Sequence, residues 1–68
     1  MTQTQKVLDY IDRFGSITPL QAFADLGIMR LAARINDLKK TGVEIRSETA
    51  KDMNRFGEQV HFTRYRRA

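Results

Sequence analysis

Arg30, Arg34 and Asn36 fall within one stretch of predicted helix, and their side chains carry chemistry suited to base edges. A guanidinium can donate two hydrogen bonds to guanine, and a carboxamide can pair bidentately with adenine. Ala32 and Ala33 are small enough to let a helix backbone sit deep in a groove, and Ala33 offers a methyl to thymine. Further on, Lys40 on the helix and Lys51, Asn54 and Arg55 in a polar segment are candidates for phosphate oxygens. The candidate DNA-binding residues are therefore Arg30, Ala33, Arg34, Asn36, Lys40, Lys51, Asn54 and Arg55. Asp37 would be repelled by phosphates, and it stands i, i+3 from Arg34, where it is expected to orient that arginine rather than read a base. The plainer alternatives are a solvated helix face with an Arg34–Asp37 pair and, downstream, a mobile polar loop.

Other chemistries find less support. The chain has no Cys, which excludes a disulfide framework, a thiolate nucleophile and a Cys-ligated zinc. His61 is the single histidine and has no partner for a metal, so it is expected as an exposed strand residue. Ser16 and His61 form no nucleophile signature, and no Gly-rich phosphate loop is present. Asp9 and Asp12, three apart on the first helix, fit a solvated face better than a magnesium site. No enzyme activity, metal or cofactor is expected. Tyr10 and Tyr65 are expected to pack at the edge of a small core rather than stack on bases.

A chain of 68 residues has room for one domain, residues 1–68. Its formal charge of +4 is unevenly placed. Residues 1–29 carry a net −1, whereas residues 30–68 hold ten basic side chains against five acidic ones, a net +5. A basic half on a small domain points to nucleic acid or another polyanion, the alternative being a solubilising surface. No apolar run approaches the ~20 residues that span a bilayer, and no secretory signal is recognisable, so no membrane is involved and the expected location is cytoplasmic.

The elements that must position these side chains follow from periodicity. A first helix is predicted over about 4–14, capped by Thr2 or Thr4 and ended by Gly15, with Val7, Leu8, Ile11 and Phe14 as its apolar stripe. Ser16 and Ile17 form a short bridge of one or two strand residues. The second helix, about 19–26, has the clearest start: Thr18 as N-cap, Pro19 at the first position and Gln21 completing a capping box. Leu20, Phe23 and Leu26 are its expected buried side, and Gly27 stops it. The third, about 29–41, buries Leu31, Ile35 and Leu38 and lacks a good N-cap. That stripe turns Met29, Ala33, Asn36, Asp37 and Lys40 outward, with Arg30 and Arg34 on one flank.

After Gly42 the period becomes alternating. Strands are expected at about 43–49 and 58–65, joined by a polar loop from Ala50 to Gly57 in which Met53 and Phe56 fold back onto the hairpin. Arg64 to Arg67 would be a short basic tail or a frayed basic end. The expected fold is mainly α with a C-terminal β-hairpin: a winged helix-turn-helix of three helices plus a two-stranded wing.

The stretch Leu26-Gly27-Ile28-Met29-Arg30-Leu31-Ala32-Ala33-Arg34-Ile35-Asn36-Asp37-Leu38-Lys39-Lys40-Thr41-Gly42 resembles a family of small helix-turn-helix proteins from bacteriophages and prophages. Phe14-Gly15-Ser16-Ile17-Thr18 and Arg64-Tyr65 are also similar to it, and the resemblance covers about residues 5 to 66. It implies a DNA-binding fold, a phage or prophage source, and a role in transcription control or in excision and recombination. One departure stands out. Leu31 follows Gly27 by four positions, where common repressors leave about six before the first core residue of the reading helix. Either the turn is tighter or the helix begins earlier.

The expected function is sequence-specific binding of double-stranded DNA, with the third helix in the major groove and the hairpin on the backbone. A homodimer on a repeated site is expected for so small a domain. The competing reading is a protein-interaction module that binds and modulates a host protein, since a fold does not dictate its partner.

Overall fold

In a computed structural model, residues 2–68 are described. Three helices, α1 (Gln3–Phe14), α2 (Pro19–Leu26) and α3 (Leu31–Lys40), precede two antiparallel strands, β1 (Ile45–Met53) and β2 (Gln59–Arg67). This is the order expected of a winged helix-turn-helix.

Two reciprocal capping boxes start the first two helices. Thr2 Oγ1 accepts from the Gln5 N–H at 3.2 Å while the Thr2 N–H donates to Gln5 Oε1 at 3.4 Å. Thr18 and Gln21 repeat the pattern at 3.2 and 3.0 Å. Each box satisfies two backbone donors that a helix start otherwise leaves open. At the end of α2, Gly27 takes the left-handed conformation (φ 68°) that other residues avoid. Its N–H and that of Ile28 then close onto the Phe23 and Ala22 carbonyls, both at 3.0 Å. The chain turns sharply and Ile28 is driven inward.

The core consists of Val7 and Ile11 of α1, Ile17, Ala22, Ile28, the α3 stripe Leu31, Ile35 and Leu38, and Ile45. The expected buried side of α2 holds only for Leu26, which packs against the core; Leu20 is 75% and Phe23 56% exposed, whereas Ala22 is fully buried. Ile17 and Ile28 bracket α2 and fill the centre, leaving space there only for a methyl group. Phe14 is also outside the core and stacks on Tyr10, with ring centroids 4.7 Å apart. Tyr10 in turn donates its hydroxyl hydrogen bond to the Asp25 carboxylate, tying α1 to α2.

α3 begins at Leu31, later than expected. Met29 and Arg30 belong to the turn, so the departure in spacing is a tighter turn rather than an earlier helix. Arg30 is the N-cap residue but supplies no side-chain cap.

The hairpin is longer than expected. Its register runs from Ile45 opposite Arg67 to Met53 opposite Gln59, which leaves only Asn54 to Glu58 as the connection. Lys51 is therefore a strand residue opposite His61, and the supposed basic tail is part of β2. Continuous ladder pairing overrides the weak strand preference of Lys51 and Asp52. At its base, β2 also pairs on its other edge: Ile17 and Tyr65 exchange two backbone hydrogen bonds at 2.8 and 2.9 Å. The short bridge expected at Ser16–Ile17 is thus one residue. Tyr65 packs against the core, and Arg67 on the same side of the strand pairs with Asp12 of α1 at 2.8 Å.

Candidate nucleic-acid interface

With Leu31, Ile35 and Leu38 buried, α3 leaves Ala32, Asn36, Lys39 and Lys40 exposed and Ala33 half-buried. Arg30, just before the first turn, is exposed; its carbonyl accepts from the Arg34 N–H at 3.4 Å, but its side chain makes no hydrogen bond or ion pair among the described residues. The surface at the start of α3 thus combines one free guanidinium, two methyl side chains and, a turn later, a carboxamide.

Arg34 is placed differently from Arg30. Its Nη1 donates to Gln3 Oε1 at 3.3 Å, which turns the side chain sideways toward the first turn of α1. Its Nε lies 3.2 Å from Asp37 Oδ2, the i, i+3 pair expected from the sequence. That nitrogen is shielded from solvent without an aligned hydrogen bond among the described residues, so the contact is an ion pair only. Asp37 therefore holds Arg34, and Arg34 adds a polar tie between α3 and α1 beside their shared core.

A cleft of about 310 Å³ runs between the start of α3 and β2, with Pro19, Arg30, Ala32, Ala33, Thr63 and Tyr65 among its lining residues. Sequence reasoning missed Thr63. Its alternation with Tyr65 was the available signal, because the two project from the same face of β2.

On the hairpin, Lys51 and Arg55 are exposed, as is Asn54. Asn54 braces the turn through its side chain, because its Oδ1 accepts from the Phe56 and Glu58 N–H groups at 2.9 and 3.0 Å. Its own N–H donates to the Glu58 carbonyl at 2.9 Å. Met53 and Phe56 do not fold back as expected; they are 64% and 84% exposed. Hydrogen bonds through Asn54 hold the backbone of the turn on which Phe56 stands. The opposite face of the hairpin base carries Arg64 and Arg66 around Glu48, at 3.9 and 3.7 Å. The sequence pattern had hidden this cluster in an apparent tail.

Among the described residues, no group of three His, Asp or Glu side chains could hold a metal ion, and no helix is long and apolar enough to cross a membrane. No curated protein and no solved structure was found to match the chain. The sequence profile of a winged helix-turn-helix domain matches residues 2–66.

Proposed function

Because the chain belongs to the winged helix-turn-helix domain family, a DNA-binding fold, we propose that it binds double-stranded DNA sequence-specifically through the N-terminal half of α3. The supporting observation is the free Arg30 beside the small side chains of Ala32 and Ala33, on a surface continuous with the Thr63 cleft. In this reading α3 enters the major groove. Arg30 and Asn36 meet base edges, Ala33 meets a thymine methyl, and Arg34 braces the helix while offering its remaining donors to the same strand. Lys40, Lys51 and Arg55 hold phosphates, and Asn54 holds the turn that presents Arg55. Together with the resemblance to phage proteins, this supports a regulator acting in transcription control or in excision and recombination, bound as a dimer to a repeated site.

The double variant Arg30→Ala, Arg34→Ala tests it. Loss of duplex binding in fluorescence anisotropy, with the far-ultraviolet circular dichroism unchanged, is the expected result. Unchanged duplex binding would sink the assignment. About five phosphate contacts give a log–log salt slope of about −4.5.

One observation favours a second reading, a module that docks on a host protein: Leu20 and Phe23 leave large apolar side chains of α2 exposed. Substituting Leu20 and Phe23, which lie outside the Arg30 cleft, would then abolish partner binding and leave duplex binding intact.

A further inference from the structure

We infer that Phe56 is a wedge that enters the minor groove and partly unstacks a base step, so that the protein kinks the duplex it binds. The inference rests on the proposed DNA binding and adds a distinct action to it.

The tip of the hairpin is built to hold an aromatic ring in water. Phe56 is 84% exposed, and every residue from Lys51 to His61 is exposed. A slack loop would let the ring collapse onto the strands, because burying it is favourable. In this loop the backbone is held by hydrogen bonds instead. Asn54 Oδ1 accepts from the N–H of Phe56 itself at 2.9 Å and from that of Glu58 at 3.0 Å. The Gly57 N–H closes back onto the Asn54 carbonyl at 3.1 Å, with Gly57 in the left-handed region (φ 78°). Four hydrogen bonds in five residues therefore fix the backbone that presents the exposed ring.

The neighbours suit one occupant. Met53 (64% exposed) and Val60 (37%) put one apolar side chain on each face of the hairpin just below the turn, and Arg55 precedes the ring with its side chain unpaired among the described residues. An apolar side chain pushed between base steps, with a cation beside it for the backbone, is the composition of a minor-groove wedge. β2 links the two places: it carries Thr63 in the cleft at the start of α3 and continues to the tip. Pyrimidine–purine steps, which unstack most easily, are the expected points of entry.

The test uses the full chain and duplex DNA carrying TA and CA/TG steps. The natural chain contains no tryptophan, so Phe56→Trp places a single indole at the tip. Its emission is expected to be quenched at saturating duplex, as stacking on bases requires. In parallel, ligase-catalysed circularisation of fragments shorter than about 150 base pairs reads bending directly. Wild type and Phe56→Trp are expected to promote it, and Phe56→Ala to lose that effect at saturating protein. The alanine variant should keep the wild-type thermal midpoint and lose about 5- to 150-fold in affinity, the worth of one stacked aromatic. Unquenched indole emission, or equal circularisation by Phe56→Ala and wild type, overturns the wedge while DNA binding stands. A wild-type chain that binds no duplex overturns both readings.

Discussion

Arg34 on α3 donates to Gln3 on α1 across thirty-one positions of sequence, at 3.3 Å. The contact ties the helix proposed to read DNA to the first turn of the first helix. Gln3 follows the Thr2 cap directly, so the orientation of α3 depends in part on how α1 begins.

Arg30 and Arg34 should therefore separate when replaced singly. Arg30→Ala is expected to cost about 1–3 kcal/mol of discrimination at one base position without moving the thermal midpoint. Arg34→Ala should weaken binding and also lower the midpoint by a few degrees, since a partly exposed pair is worth about 0–1 kcal/mol. Equal midpoints for the two variants would remove the bracing role.

The packing of α2 makes a second prediction. Ile28→Ala, at a site only 1% exposed, should destabilise the fold by about 2–5 kcal/mol in urea denaturation. Leu20→Ala and Phe23→Ala should each stay within about 0.5 kcal/mol of wild type. A large loss from either would mean that these side chains are covered in solution, for instance by a second copy.

Tyr10 gives a pH signature. The hydrogen bond to Asp25 raises its pKa above the ordinary 10.0, with burial and the negative charge of Asp25 adding to the effect. The folded value lies above the unfolded one, so the contribution is complete below pH 10 and is lost as pH rises through the raised value. Tyr10→Phe should cost about 0.5–1 kcal/mol near neutrality and flatten the alkaline decline. Denaturant midpoints across roughly pH 8 to 11 would check this, and parallel declines in both proteins would refute it.

Much of this fold is legible in the sequence because its signals are local. Thr18, Pro19 and Gln21 announce the start of α2 in four residues, and Leu31, Ile35 and Leu38 mark the buried side of α3. The inward face of α2 is not legible. Size favours Leu20 and Phe23 over Ala22, and only the placement of Ile17 and Ile28 shows that a small residue is needed there. The reach of the hairpin was obscured by Lys51 and Asp52, which look like loop residues but sit in a continuous ladder. The sideways setting of Arg34 depends on a glutamine far away in sequence, which no spacing rule could supply.

The single bridge between Ile17 and Tyr65 gives the hairpin the mechanics of a cantilever. At that root β2 is the middle of three strands and is pinned again by Arg67 to Asp12. Beyond it two strands continue for about 20 Å to the turn, with the start of α2 lying against them at Phe62 and Asp52. Such a beam is stiff along its length and compliant across its thin direction. A tilt of about 5° at Tyr65 moves the far end by about 2 Å, roughly a third of the width of a minor groove. The distance between α3 and the turn changes with such tilts, which in the proposed binding mode would let duplexes that differ in groove spacing meet both.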